Sequence, residues 1–322
     1  MRLGIAPVQW GGLFSETLKE CLLAEELGYD SVWILEHHFT KVGYFPSPLL
    51  VLASIASHTS RVRLGTGVLL APFRNPVKLA EDSAMVHVIS KGRLLLGLGT
   101  GYRHEEFDAF GADRSRRLRS LREAVTRCKE LWSGRDVLGR SGSEPLALSP
   151  GLEGIRGPPV WVGGYGDSSL AVAADMGDAW LPGPVGALET LRQSLSKYRE
   201  FLRANGRSWE EQEHPLMRDV FVAQTSEEAA AVYSGPIVRM YEEDYGAWRH
   251  RLVKDRSLTL EDLRDRCLVG SPDDVIEQVE QLKKSLGTDL LICRMRLPGV
   301  SHEQAASSMR LMSAEVAPAI QD

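Results

Sequence analysis

Eight short runs rich in β-branched residues and leucine recur at residues 3–6, 31–35, 62–69, 93–98, 160–163, 178–181, 219–224 and 289–294, with helical patterns between them. No other feature constrains the fold as much. A strand–helix–strand unit within one sheet takes a right-handed crossover, so its strands pair in parallel and helices cover the sheet. The class is therefore α/β, either a closed (β/α)8 TIM barrel or an open doubly wound sheet. The barrel is the simpler solution, and 322 residues suit one such domain, which commonly runs to about 250 residues and beyond. Neither an internal repeat nor a linker divides the sequence, so residues 1–322 are expected to form a single domain.

Helix boundaries are legible. Ser47-Pro48 and Asn75-Pro76 each place a capping side chain before a proline at the first helical position. Ser271-Pro272-Asp273-Asp274 does the same and adds two carboxylates that suit the positive end of the helix dipole. Gly28 and Gly287 are expected as left-handed caps at helix ends. Two stretches break the rhythm. Residues 134–159, rich in Gly, Pro and Ser, form an insertion after the fourth strand; residues 234–270, carrying Tyr241, Tyr245 and Trp248, form one after the seventh. Barrel active sites lie on the loops that follow strands, so both stretches are expected to cover a substrate.

The charge balance of −5 gives no general attraction to nucleic acid or to an anionic membrane. Cys21, Cys128, Cys267 and Cys293 lie far apart, without C-x-x-C or zinc spacing, and are expected as free thiols and small core residues in a reducing cytoplasm. The opening Met-Arg-Leu-Gly-Ile does not resemble a secretory leader, and no apolar stretch approaches the ~18 residues of a membrane span. A cytoplasmic location is expected.

Several segments carry chemistry. The second strand runs into Glu36-His37-His38, and because strand side chains alternate, the two histidines cannot both face a barrel mouth. That argues against a metal site of His-x-His type, and no metal is expected. One histidine at a strand end suits a general acid or base, whereas the plainer alternative is a pair bonded to local backbone. Gly65 and Gly67 interrupt the third strand, either to admit a flat ligand or to pack against a neighbour. Gly97-Leu98-Gly99-Thr100-Gly101 lacks the spacing and context of a dinucleotide fingerprint. Gly163-Gly164-Tyr165-Gly166-Asp167-Ser168-Ser169 opens a helix and is either a phosphate-type anion site or a turn with a serine cap. The basic run from Arg114 to Arg119, with Arg122, reads as a solvated helix face. His58, His87 and His250 receive no role.

Residues 30–40 (DSVWILEHHFT), 64–68 (LGTGV), 75–82 (NPVKLAED), 90–93 (SKGR), 101–111 (GYRHEEFDAFG), 159–164 (PVWVGG) and 269–274 (VGSPDD), taken in order, resemble the bacterial luciferase-like family of flavin-dependent oxidoreductases. The resemblance implies a barrel, usually a homodimer, that binds a flavin at its C-terminal mouth. It assigns His37 as the catalytic histidine beside the flavin ring. Gly67-Val68 matches a bond in the family that is often cis beneath the ring. Gly164, Tyr165, Gly166, Ser168 and Ser169 match the flavin phosphate loop, with Glu36, Thr100 and Arg103 completing the expected cofactor contacts. Two positions depart from the family. Thr100 stands where many FMN-binding members carry a phosphate-pairing arginine, which leaves Arg103 or Arg74 to replace it. Gly99 stands at the luciferases' reactive cysteine, so light emission is not expected.

The activity implied is a monooxygenase that receives reduced FMN from a separate flavin reductase and uses O2 to oxidise a small organic substrate. A hydride-transferring enzyme using the deazaflavin coenzyme F-420 is the alternative, and a non-catalytic flavin-binding partner subunit is a third possibility.

Overall fold

The computed structural model describes residues 1–10, 12–42, 44–138, 146–152, 154–246 and 258–321. Ten strands follow in chain order: β1 (Arg2–Ala6), β2 (Ser31–Ile34), β3 (Arg63–Thr66), β4 (Leu69–Leu70), β5 (Leu94–Gly99), β6 (Val160–Gly163), β7 (Ala179–Leu181), β8 (Pro215–Val222), β9 (Cys267–Gly270) and β10 (Leu290–Arg294). Every pairing is parallel. The hydrogen-bonded order is β7-β6-β5-β3-β2-β1-β10-β8-β9, with β4 beside β5. The sheet curls: the Met217 N–H in β8 donates at 3.3 Å to the carbonyl of Pro182, directly after β7. The result is a barrel-like parallel α/β fold.

Alternation along the strands divides the core in two. Odd and even positions point to opposite faces. Trp33, Leu95, Trp161, Met217 and Ile292 therefore gather inside the curl, where Trp33 and Trp161 stack at 5.0 Å. Val32, Leu64, Leu96, Val162 and Leu216 point outward and pack beneath the helices. A strand covered on both faces reads as an unbroken apolar run, which is why these strands are visible in the sequence.

Four expectations need correction. The run 62–69 is two strands, β3 and β4, separated at Gly67–Val68. The run 219–224 begins earlier, at Pro215, since a proline can occupy the first position of a strand. The second interruption is not wholly irregular: it holds the end of helix Ser226–Arg239, a π-helical segment Met240–Gly246 and strand β9. Trp248 and His250 lie outside the described residues. Ser47 makes no side-chain cap hydrogen bond. Its ψ of 71° departs from the extended geometry of the true caps Asn75 (127°) and Ser271 (167°), so its hydroxyl does not reach the first-turn N–H groups. Asn75 accepts from Val77 and Lys78, and Ser271 forms a capping box with Asp274. Gly28 and Gly287 have φ of +80° and +67°, as expected for left-handed residues at helix ends. No helix among the described residues is long and apolar enough to cross a membrane.

Candidate active site

The segments that follow the strand ends surround a cavity of ≈ 1020 Å³. His37 follows β2, Val68 follows β3, Thr100 and Tyr102 follow β5, residues 164–169 follow β6, and Pro184 follows β7. This C-terminal rim is where barrel-type α/β folds place their sites.

His37 and His38 diverge as expected, although β2 ends at Ile34 and both stand in the segment after it rather than on the strand. His37 lines the cavity, its ring edge-on to Tyr44 at 5.1 Å and to Tyr102 at 6.1 Å. His38 turns away into an aromatic group, 4.7 Å from the ring of Phe110. Each histidine has its own carboxylate. Glu36 Oε1 lies 2.6 Å from His38 Nε2 and 2.8 Å from Arg74, while Oε2 accepts from the Leu70 N–H at 2.8 Å. Glu36 thus reaches the cavity edge with its carboxylate committed to the protein. Glu106, which sequence reasoning overlooked, lies 3.7 Å from His37 Nδ1, accepts from the His38 N–H at 2.9 Å and pairs with Arg103 at 3.1 Å. Burial alone would raise the pKa of Glu106, but hydrogen bonds from His37 and the His38 backbone, with the charges of His37 and Arg103, outweigh it and hold the group below the usual carboxylate range. It stays ionised beneath His37.

Thr100 lines the cavity, but the expected arginine substitutes do not. Arg103 is turned to Glu106 and the His38 carbonyl, and Arg74 to Glu36 and the Leu70 carbonyl. Arg114 and Arg117 line the cavity instead, on the face expected to be solvated. That expectation is corrected for these two, while Arg116 and Arg119 of the same run are exposed. The Arg114 Nε is buried without a hydrogen-bond partner among the described residues. Helix Arg117–Trp132 runs beside helix Asp167–Met176, joined to it by the Arg122–Asp175 pair at 3.0 Å. Both helices start at the cavity.

The serine-cap alternative for the 163–169 loop fails, because the N-cap of helix Asp167–Met176 is Gly166 and no side chain caps it. The first turn of this helix, with Ser168 and Ser169, lines the same cavity as Arg114 and Arg117, and these are the group types that make an anion cradle for a phosphate. Tyr165 also lines the cavity, but its hydroxyl is used within the protein, donating to the Gly183 carbonyl and accepting from the Gly186 N–H.

Glycines let the segments under the cavity pack closely on Val68 and Ser169. A Cβ at Gly99 would meet Val68 at 2.5 Å, one at Gly163 would meet Val68 at 2.8 Å, and one at Gly164 would meet Ser169 at 2.9 Å. Gly65 answers the packing alternative rather than the ligand one, since a Cβ there would sit 2.2 Å from the Trp33 ring. The Gly67–Val68 peptide is cis, as the resemblance implies. A flat, narrow floor, an anion cradle and a histidine on one cavity fit a flavin bearing a phosphate.

Fold and site define an enzyme of the flavin-dependent oxidoreductase class. The family model for luciferase-like monooxygenases matches residues 7–289, and the chain belongs to that family. It is 27% identical over 333 aligned positions to the oxygenase component of a flavin-dependent trigonelline monooxygenase from Acinetobacter baylyi, covering 96% of this chain and 91% of that one. Monooxygenase RslO1 from Streptomyces bottropensis superposes with a TM-score of 0.84 at 27% identity, covering 99% of both chains. The oxygenating constituent of 3,6-diketocamphane monooxygenase from Pseudomonas putida, solved with FMN, gives a TM-score of 0.81 at 22% identity over 99% and 98% of the two chains, a likeness of fold.

Proposed function

We propose that this protein is the oxygenase of a cytoplasmic two-component system, taking reduced FMN from a separate flavin reductase and using O2 to oxidise a small organic substrate. The observation that carries this reading is the set of anion-binding groups on one cavity: the buried Arg114 Nε, without a hydrogen-bond partner among the described residues, and an uncapped helix N-terminus, both on the cavity that holds His37. Arg114, Arg117, Ser168 and Ser169 hold the phosphate; Gly67, Val68, Gly99, Gly163 and Gly164 floor the ring; Thr100, Glu36, Tyr165 and Gly166 shape the surrounding wall, and Arg103 acts behind it through Glu106. A bound reduced flavin supplies the electrons and the site of O2 activation. His37 holds or moves a proton at the ring face of the cavity, and Glu106 keeps the imidazole oriented.

The curled sheet is read as an eight-stranded barrel in a single domain, with extra segments after the fourth and seventh barrel strands. A homodimer is supported by the apolar side chains exposed on helices Pro48–His58 and Pro76–Ile89, namely Leu50, Met85, Val88 and Ile89.

Anaerobic titration with reduced FMN and with reduced coenzyme F-420 tests the cofactor. Reduced FMN binds more tightly, and Arg114→Gln weakens it by roughly 10–100-fold, the worth of a charge-assisted hydrogen bond. Tighter binding of the deazaflavin, or no effect of Arg114→Gln, refutes the assignment. His37→Ala lowers substrate oxidation by about 10²–10⁴-fold when the histidine serves as acid or base.

A further inference from the structure

Tyr245 occupies the cavity wall in an unusual way. It lies on the π-helical segment Met240–Gly246, a form that recurs at functional sites. Its hydroxyl accepts from Arg294 Nη1 at 2.6 Å. Arg294 is in turn gripped by Asp219 through hydrogen bonds of 2.6 and 3.0 Å, and neither residue of that pair is more than 1% exposed. The Arg294 carbonyl accepts from the Tyr233 hydroxyl at 2.7 Å, and Tyr241 packs edge-on to Tyr245 at 5.3 Å. A buried ion pair bridging β8 and β10 thus fixes one aromatic ring at the cavity surface. Tyr102 and Met217 line the same cavity, and Tyr102 packs edge-on to His37.

Four charge pairs stand around this wall, while Arg218, buried behind it, donates to the Pro184 carbonyl. Arg294 faces Asp219 and Arg103 faces Glu106. Glu36 faces Arg74, and Asp167 faces Lys197. Among the described lining residues, Glu105 stands exposed at the rim, and Arg114 and Arg117 belong to the anion cradle. An ionic substrate on the Tyr245 ring would exchange hydration for an aromatic face backed by the already paired Arg294 and Asp219, which costs free energy. A flat, uncharged ring would gain edge and face contacts with the aromatic side chains.

Resting on the flavin-oxygenase reading, we infer that Tyr245 contacts the substrate and selects a flat, uncharged aromatic molecule. The test is calorimetric binding of 2-naphthol, 2-naphthoate and 1-decanol to the full-length protein, with and without oxidised FMN, in wild type, Tyr245→Ala and Tyr245→Phe. 2-Naphthol binds about tenfold more tightly than either other probe, Tyr245→Ala loses about tenfold, and Tyr245→Phe stays within about threefold because the ring remains. FMN affinity is measured separately on each variant and stays within about twofold of wild type, since no cradle residue changes. Unchanged 2-naphthol affinity in Tyr245→Ala, or equal affinity for 2-naphthoate or 1-decanol, overturns the inference. If wild type does not bind FMN while 2-naphthol binding still depends on Tyr245, the flavin reading falls and the Tyr245 assignment stands.

Discussion

Glu106→Gln isolates one charge at the centre of the site. The substitution keeps the size of the side chain and an oxygen that can accept from the His38 N–H, but it sets Arg103 against a neutral amide. Arg103 is 6% exposed and Glu106 1%, so water does little to replace the lost carboxylate. Breaking a buried ion pair costs about 3–5 kcal/mol, and the retained acceptor places this case at the low end, about 3 kcal/mol. With about 2.1 cal/mol/K of unfolding entropy per residue, 322 residues give roughly 0.7 kcal/mol/K. The melting temperature at pH 7 therefore falls by about 4 °C. The pH dependence supplies a second readout. A carboxylate whose pKa is depressed in the folded state contributes stability above its unfolded pKa, near 4.3, and loses it as pH falls through the folded value. Wild type and variant should thus converge progressively as pH falls below the unfolded value and through the depressed folded one, beneath which Glu106 is neutral in both states. Calorimetric melts at pH 7, 5, 4 and 3 would make the comparison. A difference that stays constant across that range, or its absence at pH 7, refutes the claim that an ionised Glu106 holds this region together.

Arg294→Met leaves Asp219 buried without its cation and should cost about 3–5 kcal/mol, read as a lower midpoint in urea; Asp219→Asn added to it should recover much of the loss. Asn75→Ala removes a true cap and should cost about 1 kcal/mol, whereas Ser47→Ala should change the same midpoint by less than about 0.3 kcal/mol, because Ser47 caps nothing. Gly163→Ala places a methyl group 2.8 Å from Val68 and should lower FMN affinity by about tenfold or more in an equilibrium titration, while Gly206→Ala, at a surface turn with open space around it, leaves that affinity unchanged.

The legible parts of this molecule are those where local chemistry decides the outcome. Strands covered on both faces must be apolar along their length, so most appeared as runs; β9 escaped because its four residues, ending in Gly270, fell within a stretch dominated by charge. That His37 and His38 do not both face the cavity was expected from strand alternation, but β2 ends at Ile34 and the segment after it sets their directions. Arg114 and Arg117 were not legible in this way. Their run has the composition of a solvated helix face, and only the placement of helix Arg117–Trp132 beside helix Asp167–Met176 turns two of its arginines inward. Nor was Glu106: it sits in a short acidic helix, separated from His37 by the whole of β3 and β5, and that proximity is a product of the curl.

The carboxylates explain why two adjacent histidines can hold different roles. Glu36 and Glu106 have comparable burial, and each approaches one imidazole, but their remaining contacts differ. Glu36 spends its oxygens on His38, Arg74 and the Leu70 N–H, which ties the segment after β2 to the segment that follows the Gly67–Val68 bond. Glu106 spends its Oε1 on the His38 N–H and Arg103, while His37 stands 3.7 Å away on the cavity side. One carboxylate therefore fixes the floor and the other fixes the backbone from which His37 projects. It follows that Glu36→Gln should act first on the Val68 floor and hence on flavin affinity. Glu106→Gln should act first on the rate of the step His37 assists. Equal losses of affinity and rate in both variants would show that the two carboxylates serve as one unit.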